Sequence, residues 1–206
     1  MNLYAIVDSE TTGLNVYLDE IFNIGIIITD GIEILDKIEI FINIGINKLQ
    51  EAKKKLHKIV NIDLNYIQTN GVTLQKGIIQ INEFLEKNSK KYNCLFYFVA
   101  HNAKFDYSII CSNLNKVTSF LKEEFLTFFI KIVDTISLFK KYYKHLKFQS
   151  YKLDSMVENL HLPKHYPEIQ KKINERSKEG HSALLDAEIT FYLFKKVNVD
   201  FPFIVL

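Results

Sequence analysis

The chain is poor in arginine. It carries 26 basic and 24 acidic residues, and Arg176 is its only arginine. Lysine meets phosphate as a flexible point charge, where arginine offers a planar fork. Contacts to a polyanion made through this surface would therefore be salt-sensitive and tolerant of sequence. The two cysteines, Cys94 and Cys111, are too few for a disulfide scaffold and lack zinc-like spacing. A reduced, intracellular and cytoplasmic setting is expected, with Cys94 a buried thiol at the start of an apolar strand. Apolar runs such as residues 24–28 are far too short to cross a bilayer, so no membrane is expected. The N-terminus has no basic stretch and meets an acid by Asp8, which does not suit a signal peptide. No repeat, linker or low-complexity stretch divides the sequence. One domain is expected over 1–206, with a core at about 2–197 and a short apolar tail at 198–206.

What is present is a chain 48% hydrophobic, with a formal charge of +2 and a pI near 8.3. That charge neither demands nor excludes a polyanionic ligand. Residues 2–8, 21–29 and 32–43 read as strands, with Asp30-Gly31 marking a hairpin between the second and third. In the third strand Ile38, Ile40 and Ile42 alternate with polar or aromatic residues, so one face is expected to be buried. Helical periodicity follows over 47–66 and 73–87, the latter carrying Leu74, Ile78, Ile81 and Leu85 on one stripe. Residues 94–100 form a continuous apolar run, as in a strand buried on both faces, and a helix is expected from about Phe105. A fifth strand over 128–133 ends at Asp134. Helices are expected over 136–145, 153–160 and 183–197, with a loop bracketed by Pro163 and Pro167. Antiparallel strands followed by strands alternating with helices describe an α/β fold, a mixed five-stranded sheet flanked by helices.

Three blocks carry chemistry: residues 8–13 (DSETTG), 101–106 (HNAKFD) and 181–186 (HSALLD). Asp8 and Glu10 are two apart at a strand end, so they share a face and could clamp a metal ion; a solvated strand end is the bland alternative. Asp106 follows a buried strand, where ligands gather in open sheets, or else it caps a helix. His181 and Asp186 are five apart, about 140° around a helix. Both cannot face one ion from a single helix, so His181 is expected in the loop after Gly180 and Asp186 within the helix. Clustered carboxylates repel each other, and divalent cations with a taste for hard oxygen relieve that repulsion.

The three blocks, in this order, resemble the motifs of the DEDDh subgroup of DnaQ-like 3′–5′ exonucleases, which have a ribonuclease-H-like fold. Asp134-Thr135 and residues 152–155 (KLDS) resemble the family's flanking pattern. The resemblance implies that Asp8, Glu10, Asp106 and Asp186 hold two divalent ions, Mg²⁺ or Mn²⁺, and that His181 deprotonates the attacking water. It implies that Thr11 and Thr12 meet the terminal nucleotide through backbone and hydroxyl groups. Leu14 would wedge beside the last bases, while His101, Asn102 and Phe105 would line the nucleotide pocket. Leu14 and Phe105 have ordinary packing as the alternative. The implied reaction is hydrolysis of DNA from a free 3′ end to nucleoside 5′-monophosphates, in proofreading or repair. RNA or short oligoribonucleotides are the alternative substrate, and a non-cutting single-strand binder is a third reading. A polymerase partner or a homodimer would fit such an enzyme. Residues 162–180, with His165, Tyr166 and Arg176, exceed the family minimum and are expected to be a plain surface insertion in preference to a lid over the site. The lysines at 53, 54, 55 and 58 are expected to be a solvated helix face in preference to a phosphate guide.

Overall fold

The computed structural model describes residues 2–56, 63–179 and 182–201, without the side chains of residues 56 and 177–179. Five strands form one sheet in the order β3-β2-β1-β4-β5. Here β1 is Leu3–Thr11, β2 Ile21–Thr29, β3 Ile34–Phe41, β4 Phe96–Ala100 and β5 Phe129–Asp134. The first three strands pair antiparallel, and β4 and β5 run parallel to β1. This is the mixed sheet expected from the sequence. The β2–β3 turn is wider than the Asp30-Gly31 pair alone. The ladder closes at Thr29 and Ile34, and Asp30 Oδ1 accepts from the backbone amides of Ile32 and Glu33. Gly31 takes the positive φ of 92° that the turn requires.

The helices are α1 Ile46–Leu56, α2 Leu64–Asn70, α3 Leu74–Tyr92, α4 Ala103–Asn115, α5 Ser119–Thr127, α6 Thr135–Tyr142, α7 Leu153–Asn159, α8 Leu162–His165, α9 Glu168–Glu179 and α10 Ala183–Asp200. Of these, α5 was not expected, since its short apolar segment carries weak helical periodicity. The segment bracketed by Pro163 and Pro167 is helical at α8, with α9 immediately beyond it. Pro163 sits in the first turn of α8, where its missing N–H costs nothing. Cys94 is only half-buried, outside β4; the strand starts two residues later, after the αL residue Asn93 has closed α3.

Strand alternation assigns each layer its face. Leu3, Ala5 and Val7 pack with Ile78, Ile81 and Leu85 of α3 and Ile109 and Ile110 of α4. Tyr4 and Ile6 point the other way, into Phe191, Leu193 and Phe194 of α10 and Phe139 of α6. Period two carries the even series on to Asp8 and Glu10, so both acids leave the sheet on the α10 side. Ile40 and Ile42 are buried as β3 periodicity requires, and Ile38 partly so.

How close α10 comes to that side is set by Gly25. Gly25 lies opposite Asp8 in the β1–β2 ladder. A Cβ added there would stand 2.3 Å from the backbone nitrogen of Leu184 and 2.5 Å from the carbonyl carbon of Ala183. A glycine inside a strand otherwise rich in isoleucine therefore marks a close backbone approach. The same helix start is pinned by its neighbours. Asn23 Oδ1 accepts from the Ala183 amide at 2.7 Å, Ser182 caps the helix through the Leu185 amide, and the Ser182 hydroxyl donates to Glu39 Oε1 at 2.7 Å.

The contact predicts a contrast. Gly25→Ala should lower stability by about 1–3 kcal/mol, the range for forced overpacking. Gly77→Ala, whose added carbon meets only isoleucine and valine side chains at 3.3 Å or more, should cost far less. Thermal denaturation of both variants checks this, and an unchanged Tm for Gly25→Ala would contradict the close approach.

Candidate active site

The docking of α10 brings Asp186 to the sheet acids. One carboxylate oxygen from each of Asp8, Glu10 and Asp186 lies within 4.8 Å of the others. Asp186 is in the first turn of α10 and buried; Asp8 and Glu10 are partly exposed at the end of β1. The strand-end and helix-turn expectations for these three residues hold in geometry, although β1 ends at Thr11 and α10 begins only at Ala183.

Asp106 stands outside that trio. It is buried in α4, on the opposite layer, and accepts a 2.7 Å hydrogen bond from Ser9 Oγ, the side chain between Asp8 and Glu10. It does not cap the helix; Asn102 holds the cap position at a φ of 73° without a side-chain bond. Asp134 organises this corner. Its Oδ1 accepts from the amides of Asn102 at 3.1 Å, Ala103 at 3.4 Å and Ile136 at 3.1 Å, and its Oδ2 accepts from Ser137 Oγ. One carboxylate thus ties the starts of α4 and α6 together at the carboxyl ends of β4 and β5.

His181 lies outside the described residues, as do Lys58 and residues 202–206 of the apolar tail. His101 is described, and both of its ring nitrogens are engaged. Nε2 meets the Tyr151 carbonyl at 2.6 Å, so it carries the proton and donates; Nδ1 then accepts from Thr135 Oγ1 at 2.8 Å. Burial pushes its pKa below the usual histidine value. His101 is a neutral latch between the end of β4 and the segment before α7. Beside it Asn102 is exposed, and Phe105 packs partly buried against the α3–α4 core.

The β1–β2 loop also differs in detail from expectation. Thr11 donates its hydroxyl proton to the Gly13 carbonyl at 2.6 Å and Thr12 to Asp19 Oδ1 at 2.8 Å. Both threonines are buried, and their hydroxyl protons are committed inside the loop because Asp19 closes it. Asp19 Oδ2 accepts from the Asn15 amide, and Asn15 Oδ1 from those of Tyr17 and Leu18. Ordinary packing does not hold for Leu14, which is 82% exposed at the tip with Tyr17 and Leu18 similarly bare. Lys53, Lys54 and Lys55 are exposed on α1.

The insertion is not a plain surface feature. Ile169 of α9 is fully buried, and Arg176 reaches the acids. Arg176 Nε donates to Asp186 Oδ1 at 2.5 Å and Nη2 to Asp186 Oδ2 at 3.1 Å, while Nη1 bonds Asp154 of α7. The roles of Gly25, Asn23, Ser9 and Asp134 were not anticipated either. Gly25 left a sequence signal, as a glycine inside a buried strand, and Asp134 left one as part of the flanking Asp134-Thr135 pattern.

The charges are crowded. Asp8 is held well above the usual carboxylate pKa, first by burial and then by the charges of Asp106, Asp186 and Glu10, with Arg176 opposing. Burial pushes Asp106 up to about 7 against the Ser9 hydrogen bond that opposes it. Three converging oxygens of the hard class fit a divalent cation of the Mg²⁺ or Mn²⁺ kind, and a cation there would favour the ionised carboxylates.

The exonuclease family pattern (RNase_T) matches residues 5–194. The chain belongs to the DnaQ-like 3′–5′ exonuclease family. The PolC-type DNA polymerase III of Listeria monocytogenes is 30% identical over 200 residues, 96% of this chain and 11% of that protein. The corresponding protein of Thermotoga maritima is 29% identical over 93% of this chain and 11% of its own length. The 3′–5′ exonuclease DinG of Staphylococcus epidermidis is 25% identical, covering 94% of this chain and 18% of that one. The chain thus spans a small fraction of these relatives. Exonuclease I of E. coli, solved with a dT13 oligonucleotide, superposes with a TM-score of 0.71 at 13% identity over 98% of this chain and 42% of that one. That likeness shows the ribonuclease-H-like exonuclease fold. Among the described residues no helix is long and apolar enough to cross a membrane.

Crowding gives a pH signature. In chelator, Asp106 binds its proton more tightly folded than unfolded, so stability falls as pH rises from about 4 to about 7. Asp106→Asn should remove that slope in part, giving a Tm above the parent at pH 8 and close to it near pH 4. A parent Tm that rose across this interval, by differential scanning fluorimetry, would contradict the assignment.

Proposed function

We propose that this chain is a metal-dependent exonuclease that removes nucleotides from a free 3′ end of DNA, releasing nucleoside 5′-monophosphates. The observation that carries the reading is the convergence of Asp8, Glu10 and Asp186 at the carboxyl end of the central strand β1. Asp8, Glu10 and Asp186 would hold Mg²⁺ or Mn²⁺, and Asp106, hydrogen-bonded beside them through Ser9, would complete a site for two ions. Divalent ions so held supply charge neutralisation of the scissile phosphate and acidify water.

The protein's own groups do the rest. His181, two residues before α10 begins and five before Asp186, would take the proton of the attacking water; a histidine near its ordinary pKa suits that task at neutral pH. His101 is unsuited to it, since both ring nitrogens are already bonded. The exposed Leu14 would wedge against the last bases. Asn102 and Phe105, beside the latched His101, would border the terminal nucleotide, with backbone groups near Thr11 and Thr12 on its other side. Stacking and apolar contact read no sequence, which suits a trimmer of any 3′ end. The polymerase identity of the PolC-type relatives supports DNA as the substrate and an editing role beside a polymerase.

The test uses 5′-labelled single-stranded DNA, double-stranded DNA and RNA of matched sequence with Mn²⁺. A ladder shortening one nucleotide at a time from the 3′ end, fastest on DNA, is the expected outcome. Asp8→Asn should slow it by roughly 100-fold or more while still binding the strand. Early release of the label as a mononucleotide would refute the polarity, and faster cutting of RNA would refute the substrate.

A further inference from the structure

Arg176 lies outside the three acidic blocks of the sequence. It is the chain's only arginine, it comes from the α9 insertion, and its side chain is 10% exposed. Its fork grips both oxygens of Asp186, a bidentate geometry that is among the stronger side-chain pairings. Those oxygens belong to the carboxylate that faces Asp8 and Glu10. The remaining guanidinium nitrogen is tied to Asp154, which is largely exposed on α7.

We propose that Arg176 and a divalent ion compete for the Asp186 carboxylate, so that metal loading draws the guanidinium off Asp186 and toward Asp154. The inference rests on the metal-site reading above. Two cations on one carboxylate repel at short range, and the repulsion is stronger where the pair is shielded from water. Asp154 gives the arginine a second anion to hold, so the side chain moves without losing all partners. Linkage makes the effect mutual: whatever Arg176 contributes to holding Asp186 is subtracted from metal affinity.

The attachment of α9 tells which part responds. Its first turn is fixed by Ile169, fully buried against the α10 core. Lys172 then pairs with Glu188, which Lys37 of β3 also holds. Its last described ionic tie is Arg176 itself. Release from Asp186 therefore loosens the end of α9 beyond Ile173, which packs against the same core, and leaves its earlier turns in place.

Manganese binding decides the matter, read from the EPR signal of free Mn²⁺ during titration of the chelator-stripped, desalted protein. Arg176→Gln should bind Mn²⁺ at least about fivefold more tightly than the parent, the lower end of usual site-to-site coupling. Arg176→Lys, which keeps the charge and loses the fork, should fall between them. Equal or weaker binding by Arg176→Gln overturns the competition, and in that case Arg176 only orients Asp186. Should Arg176→Gln fail to fold, hydrogen exchange in the parent decides. Faster exchange at residues 174–176 on adding Mn²⁺ supports the proposal; unchanged or slower exchange overturns it. A parent that binds no Mn²⁺ at all overturns the metal-site reading together with this one.

Discussion

The structure depends on how near one helix can come to one sheet. The first turn of α10 lies on β2 at Gly25, directly across the ladder from Asp8. No other residue type would leave room for the backbone of Ala183 and Leu184 there. Asn23 and Glu39, on β2 and β3, then hold the helix start by accepting from Ala183 N–H and the Ser182 hydroxyl. Asp186 follows in the same turn, close to Asp8 and Glu10. A missing side chain in the second strand thus fixes the distance between carboxylates contributed by the first strand and the last helix.

That proximity is electrostatically costly, and the surrounding residues show how the fold tolerates it. Asp8 and Asp106 are pushed toward the protonated state by burial and by their neighbours. Ser9 donates to Asp106, and Arg176 spans Asp186 and Asp154. Asp134 draws the starts of α4 and α6 to one point. Sites built for a cation are strained when judged only by their protein charges. A divalent cation bound there would relieve that strain.

The strand pattern and most of the helices were legible in the sequence because their signals are local. Isoleucine-rich runs, period-two acids and glycine or asparagine at turns each report on a few neighbouring residues. The acidic blocks could be assembled only through their resemblance to a family, since nothing in the spacing of Asp8 and Asp186 says that they meet. What escaped notice was non-local. The partner of Gly25 lies about 160 residues away in the chain, and α5 and α9 are polar or weakly periodic helices whose existence depends on what they pack against. Leu14 and the two threonines illustrate a finer limit. Residue type suggested contact with a substrate, whereas the hydroxyl protons of Thr11 and Thr12 turned out to be bound within their own loop, leaving the apolar tip as the exposed part.

The account stands on the claim that three distant carboxylates form one cation site. A crystal of the protein grown or soaked in Mn²⁺, measured for anomalous scattering, tests this most directly. The account predicts anomalous density bonded to carboxylate oxygens of Asp8, Glu10 and Asp186, at about 2.0–2.2 Å, as hard-oxygen ligation of a small divalent ion requires. Ordered carboxylates with no manganese between them would contradict it.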